Sequence, residues 1–536
     1  MIDILIIGTG GAGLSTALSA KEYGANVLLV GKNYTTNSQT AMAQGGINAP
    51  LGNITQDNIQ LHIKDTLKSA HGLCDLNMIT KMCSNAPDTI KWLDKLGVPF
   101  DRTIDNKISQ RQLGGASSKR ACYAQDYTGL KILHTLYDNC LKNNIEIKDE
   151  LFLLNLIVEN SRVKGATFWD IEKGEVIQIN AQNTVIATGG YGAIYKNHTT
   201  NANSSTGDGI ASVFRAGGKL SDIEFVQFHP TALKHSSILI SESARGEGGY
   251  LVNSKGERFI NELLSRDIVS RAIASEIKKG NDVFLDVRHL GEEKLLKLMP
   301  QEVNLARIHE GVDPVTELIP IKPVAHYTMG GIDVNYNLEV NGLTNCYAVG
   351  ECSNAKIHGA NRLGGNSLLE IISMGRFLGQ NISQNLSTDK LDISNKQLEI
   401  DKEFIQSLFQ EYPFELNFYQ IYNNLGEKLY KYAGIVRDNN QLNNLLNKIR
   451  VIKADIDNMG IKDKNRKHNS NLVNFLEFLN ILDISEILVE SALIRDESRG
   501  AHYKEAYPKE ELIYLAHSIF WQEDKTIYNR FEKVKS

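Results

Sequence analysis

The feature that most limits what this chain can fold into lies within its first thirty residues. Ile4-Leu5-Ile6-Ile7 reads as a buried parallel strand that runs straight into Gly8-Thr9-Gly10-Gly11-Ala12-Gly13. A helical pattern follows from Leu14 to Tyr23, and Val27-Leu28-Leu29-Val30 is a second buried strand. The unit predicts a doubly wound parallel sheet. Glycine suits a tight turn, a close approach to a pyrophosphate and a tight helix–strand contact. The start of such a helix offers unpaired N–H groups and a favourable dipole to phosphate. GxGxxG alone is a weak signal, but this placement makes it a strong one. NAD-binding units usually end the second strand in an acid for the ribose, whereas here Gly31-Lys32 stands there. That argues against NAD.

Later strands carry the same signature. Thr184-Val185-Ile186-Ala187 leads into Thr188-Gly189-Gly190, and Cys346-Tyr347-Ala348-Val349 leads into Gly350-Glu351. Widely spaced strands ending in glycine fit one sheet interrupted by insertions. We therefore expect an α/β chain in which residues 1–221 and 336–395 form a Rossmann-like domain and 222–335 an inserted α+β capping domain. Long amphipathic patterns at Gln441–Ile456 and Leu472–Ile494 mark 396–536 as a helical C-terminal domain.

Composition excludes other classes. With 536 residues, 42% hydrophobic and 23% charged, the chain can bury more than one core. A formal net charge of -5 gives no basic excess for nucleic acid. The six cysteines form no CxxC pair and hence no iron–sulfur or zinc spacing. The start has neither a basic region nor a cleavage site, and no apolar run reaches about twenty residues. These features predict a reduced, cytoplasmic chain without direct membrane insertion.

The chemistry concentrates in glycine-flanked clusters. Ser38-Gln39-Thr40-Ala41-Met42-Ala43-Gln44-Gly45-Gly46 would let backbone N–H groups approach a flat polar ring. His229-Pro230-Thr231, Ser241-Glu242-Ser243-Ala244-Arg245-Gly246, Ser265-Arg266-Asp267, His326-Tyr327-Thr328-Met329-Gly330-Gly331 and Gly359-Ala360-Asn361-Arg362-Leu363-Gly364-Gly365-Asn366-Ser367 lie in or beside the insertion. Singly, each has a bland reading as a turn, a surface ion pair or a hydrogen-bonded histidine.

Together, with Thr206-Gly207-Asp208-Gly209 and Glu497-Ser498-Arg499-Gly500-Ala501-His502-Tyr503, they carry a likeness over nearly the whole chain. The sequence resembles the flavoprotein subunit of succinate dehydrogenase and fumarate reductase, whose relatives include L-aspartate oxidase. The resemblance implies FAD and a small dicarboxylate clamped between the flavin domain and the cap. By motif matching, His229, Ser241, His326 and Arg362 bind the substrate carboxylates, and Ser241 retains the hydroxyl of the family's usual Thr. Arg266 matches the proton-transfer arginine, with Glu242 and Arg245 as its relay. The match points to Gly8, Gly10, Gly11 and Gly13 at the pyrophosphate, with Lys32, Ser38 and Thr40 further along the cofactor. Gln44, Gly45 and Gly46 would lie near the isoalloxazine, and Thr188, Gly189, Asp208, Glu351, Ser367 and Leu368 complete the set. No metal ligands are implied. If the chain works like the family, a separate iron–sulfur subunit would carry electrons and could hold it at the inner face of the membrane; a free-standing enzyme using another electron carrier is the alternative.

Some positions depart from the family. Membrane-bound members link FAD to a histidine in Ser-His-Thr, and this chain has Ser38-Gln39-Thr40, which predicts non-covalent FAD. L-aspartate oxidase also lacks the link, and Gln39 and His71-Gly72-Leu73-Cys74-Asp75 lean toward it. Its Glu-Gly-Gly-His-Ser is replaced by Leu113-Gly114-Gly115-Ala116-Ser117, and leucine cannot pair with an ammonium group. Gly364-Gly365-Asn366-Ser367 and His517-Ser518-Ile519-Phe520 are dehydrogenase-like. The balance favours interconversion of fumarate and succinate over aspartate oxidation. A non-catalytic flavin-binding assembly subunit is a third reading, which the full set of charged site residues disfavours.

Overall fold

The computed structural model describes residues 2–386, 394–410 and 416–534. The expected boundary at 395/396 thus falls just after a stretch outside the described residues. At the N-terminus β1 (Ile2–Ile7), α1 (Gly11–Glu22) and β2 (Val27–Val30) form the expected unit. β1 pairs in parallel with β2 and, on its other side, with strand Glu175–Ile186. The sheet continues through Glu146–Lys148 beyond β2. Cys346–Ala348 returns beside Glu175–Ile186, again in parallel. Strands of this kind are buried on both faces, which is why they read as uninterrupted apolar runs. An antiparallel ribbon of Leu151–Glu159 and Arg162–Asp170 extends the same sheet.

Two glycines of the first loop are fixed by close approach. A Cβ on Gly13 would overlap the Gly8 carbonyl, so only glycine lets α1 pack this tightly on the strand end. Gly8 has φ +117, and a Cβ there would run into the Ala187 carbonyl. No side chain caps α1, whose capping residue is Gly10. The Thr40 hydroxyl accepts from the Gly11 N–H at 3.0 Å.

The inserted segment has its own four-stranded antiparallel sheet, ordered Val226–Leu233, Ile319–Thr328, Val283–Asp286, Tyr250–Asn253. It closes over a separate apolar core that includes Leu251, Val269, Ile273 and Leu285. The chain leaves by strand Leu220–Ser221 and returns by Gly331–Asp333, which pair antiparallel with each other. The return crossing is therefore complete by Asp333.

Helices Lys396–Leu408, Phe418–Tyr432, Asn439–Ala454 and Ser470–Ile494 build the C-terminal part. A hairpin of Ala516–Glu523 and Thr526–Lys533 then follows, and its first strand pairs with Leu220–Ser221. The helical expectation for 396–536 did not foresee this hairpin. Its turn residues Asp524 and Lys525 both have positive φ, 46 and 64, without the glycine that usually announces such a turn. No helix among the described residues is long and apolar enough to cross a membrane.

Candidate active site

One continuous cleft runs from the glycine loop to the underside of the cap. Its walls include Gly8, Gly10, Gly11, Lys32, Ser38, Thr40, Gln44, Gly45, Gly46, Thr188, Gly189, Asp208, Glu351, Ser367 and Leu368 at the flavin-domain side. His229, Ser241, Glu242, Arg266, His326 and Arg362 line its other end. Of the expected residues, only Gly13 and Arg245 are absent from the wall. Gly13 serves the helix–strand contact, and Arg245 lies behind Glu242.

The cap's secondary structure aims these side chains. His229 sits on strand Val226–Leu233 at a register shift between His229 and Ala232, where Pro230 interrupts the ladder. Bulges of this kind bend a strand and re-aim a side chain. His326 lies on the neighbouring strand Ile319–Thr328, and the two imidazole centres are 4.8 Å apart. Ser241 caps the short helix Glu242–Gly246, its Oγ accepting from the Ser243 N–H at 3.1 Å. Arg266 opens helix Arg266–Lys278. Arg362 comes from the loop before helix Asn366–Gln384.

The charged groups form a chain. Arg266 donates from Nη2 to Glu242 Oε2 at 2.8 Å, and Arg245 Nη2 reaches Glu242 Oε1 at 3.3 Å. Gln227 Oε1 accepts from Arg266 Nη1 at 2.9 Å and from Arg362 Nη2 at 3.2 Å. Arg266 and Arg245 therefore share the Glu242 carboxylate, Arg362 joins them through Gln227, and the guanidinium groups outnumber the carboxylate they meet. Burial alone would push Glu242 up, but Arg266 and Arg245 outweigh it and hold its carboxyl below the ordinary value. Burial, reinforced by Arg266, pulls the Arg362 guanidinium down to about 10.

Both histidines are held well below the usual imidazole value, first by burial and then by Arg266 and other nearby cations. They are neutral donors. His229 Nδ1 is engaged by Thr231, 3.2 Å from both its backbone N–H and its carbonyl, which leaves Nε2 as the ring nitrogen free of hydrogen-bond partners among the described residues. His326 Nδ1 shares a 2.7 Å hydrogen bond with the Thr200 hydroxyl. Ser241 donates its backbone N–H to Glu302, a buried acid pushed up to about 8 by burial and by Asp126.

At the far end Lys32 binds Asp208 and Glu477 at 2.6 Å each, and Asn480 donates to Asp208 at 2.9 Å. The C-terminal helix thus reaches the cofactor end, which the local motifs did not signal. Other residues escaped sequence reading. Gln227 lies two residues before His229 on one strand, so strand alternation could have placed both on one face. Gln39, read only as a missing histidine, accepts from the Ala202 N–H at 2.7 Å. It thereby ties down the loop whose Thr200 and Asn201 hold His326.

The cleft suits a dinucleotide. Ser38 Oγ and Gln44 Oε1 line it, are buried, and have no hydrogen-bond partner among the described residues. A Cβ on Gly189 would meet nothing within 4 Å. Comparison with known proteins agrees. The family model for the FAD binding domain matches residues 3–368, and that for the fumarate reductase flavoprotein C-terminus matches 422–535.

The chain belongs to the succinate dehydrogenase and fumarate reductase flavoprotein family. It is an FAD-dependent oxidoreductase of that family. It is 37% identical over 558 aligned positions to the succinate dehydrogenase flavoprotein subunit of Rickettsia bellii, covering 96% of this chain and 92% of the relative. The 8-methylmenaquinol:fumarate reductase flavoprotein subunit of Wolinella succinogenes is 38% identical, at 96% and 88% coverage. A mutant E. coli quinol fumarate reductase superposes with a TM-score of 0.95 at 33% identity, covering 100% of this chain and 97% of that one.

Proposed function

We infer that this family member interconverts fumarate and succinate, with the dicarboxylate gripped between cap and flavin domain. The observation that carries the reading is the buried cluster in which Arg266 and Arg245 meet the Glu242 carboxylate while Arg362, bridged to Arg266 by Gln227, meets none. Its excess of positive charge suits a dianion, and burial makes each interaction stronger than it would be in water.

A bound flavin would supply the redox chemistry, donating hydride to fumarate in its reduced form or accepting it from succinate in its oxidised form. The chain's own residues do the rest. Neutral His229 and His326 donate N–H bonds to carboxylate oxygens. Arg362, whose Nε has no partner in the protein, can take a carboxylate through its free edge. Fixing both carboxylates polarises the double bond between them. Arg266 delivers the proton to the alkene carbon that does not receive hydride. A guanidinium is a poor acid in water, so its proton must be replaced as it leaves. Glu242 lies within hydrogen-bond reach of both Arg266 and Arg245, so the proton can be restored through that line.

Leu113 lines the cleft and offers no acid to an amine, which disfavours aspartate as substrate. The test is a pair of assays on FAD-loaded protein. Fumarate should be reduced with a reduced viologen dye as donor, and L-aspartate with oxygen should give no turnover. The opposite pattern would replace the reading with aspartate oxidation, and no turnover in either would leave a flavin-binding assembly role.

FAD is held without a covalent bond in this reading, because the amide of Gln39 cannot form the family's histidyl link. Acid precipitation should release all the flavin into the supernatant. Flavin remaining with the pellet would refute the claim. The chain has no cysteine spacing for a cluster of its own, so electrons would reach the flavin from another carrier, which in a complex like its family's would be an iron–sulfur subunit.

A further inference from the structure

Arg362 is held in an unusual way for a buried cation. Among the described residues no carboxylate contacts it. Its side-chain acceptor within the protein is Gln227 Oε1, and its guanidinium lies over the ring of Tyr327, 4.2 Å from the centroid. A carboxylate partner would neutralise the charge and occupy the N–H edge. A ring face attracts the cation and leaves both its charge and its edge to a ligand.

A ring that carries this load must itself be fixed. The Tyr327 hydroxyl donates to Glu370 Oε2 at 2.9 Å. His358 Nε2 meets the same oxygen at 2.8 Å. An ionised carboxylate only accepts, so His358 carries its proton on Nε2 here. The His358 ring also stands edge-on to Tyr327, with centroids 5.4 Å apart and an angle of 84°. Tyr327, His358, Glu370 and Arg362 are all buried. Glu370 thus anchors the ring at its hydroxyl edge without touching the guanidinium, and a phenol bonded to a carboxylate has a more electron-rich face.

We propose that Tyr327, Glu370 and His358 form a mount that positions Arg362 for a substrate carboxylate through the face of an aromatic ring. Tyr327 lines the cleft, whereas Glu370 and His358 do not, so the last two are positioning residues that act through it. The inference rests on the dicarboxylate reading and adds a set of residues that sets affinity at one end of the ligand.

The test uses FAD-loaded full-length protein, with fumarate turnover by reduced viologen and titration with malonate followed by flavin absorbance. Malonate is a dianion with no double bond to reduce, so it reports binding alone. Glu370→Ala should raise KM for fumarate and Kd for malonate about tenfold, the scale of a desolvated cation–π contact. The change in kcat should stay below about threefold. Glu370→Gln, whose amide oxygen still accepts from Tyr327 but carries no charge, should recover only part of the loss. Tyr327→Leu removes the ring and should exceed the Glu370→Ala effect while FAD occupancy holds.

Unchanged KM and Kd in Glu370→Ala, at full FAD content, would overturn the mount. So would equal losses in the Ala and Gln variants together with reduced FAD content and Tm, since that pattern marks a role in folding alone. Failure of the wild-type protein to bind malonate or reduce fumarate would remove the dicarboxylate reading itself, and the mount with it.

Discussion

Arg266→Lys should lower kcat for fumarate reduction roughly a thousandfold, within the range lost when a positioned general acid is removed, and leave FAD bound. The geometry explains why a charge-conserving change is so costly. Arg266 uses three nitrogens at once: Nη2 and Nε on Glu242 Oε2, at 2.8 and 3.3 Å, and Nη1 on Gln227 at 2.9 Å. Lysine has one nitrogen on a longer, more flexible stem, so it cannot hold both partners and face the substrate as well. The positive charge survives, and substrate binding should therefore weaken much less than turnover. Rapid-mixing kinetics with reduced flavin would report the chemical step separately from binding. Near-normal turnover in this variant would remove Arg266 from proton delivery.

Arg362→Ala should act in the other direction, with affinity lost more than rate. Loss of a buried, hydrogen-bonded charge partner costs enough to weaken binding about a hundredfold or more. The variant also reduces the surplus charge of the cluster, so selectivity for dianions over monoanions should fall. KM for fumarate and Kd for malonate, measured on protein with confirmed FAD content, are the relevant quantities. Unchanged affinity would count against the clamp.

The N-terminal unit was legible because its constraints are local. A parallel strand buried on both faces must be apolar throughout, and a helix packed onto the Gly8 carbonyl admits nothing but glycine at 13. The roles of His229, Arg266, His326 and Arg362 were reached through motif resemblance, not from spacing. They are widely separated in sequence, and the fold brings them to one end of one cleft. What stayed hidden depends on tertiary partners. Gln227 gains its importance only by bridging two arginines from different elements. Glu477, well over four hundred residues from Lys32, joins it only because the helix Ser470–Ile494 packs against helix Asp208–Arg215 of the flavin domain. The closing hairpin lacked a glycine turn, so local pattern gave it no mark.

A buried, net-positive pocket at the cap end of the cleft should hold both ends of a dicarboxylate, and a crystal structure of the FAD-loaded protein with malonate or fumarate would show it. One carboxylate should lie within hydrogen-bond distance of Arg362 and a histidine, the other near Ser241 and the second histidine, with the Arg266 guanidinium facing the carbon chain between them. A ligand bound away from these side chains, or a pocket that stays closed to the dianion at saturating concentration, would contradict it.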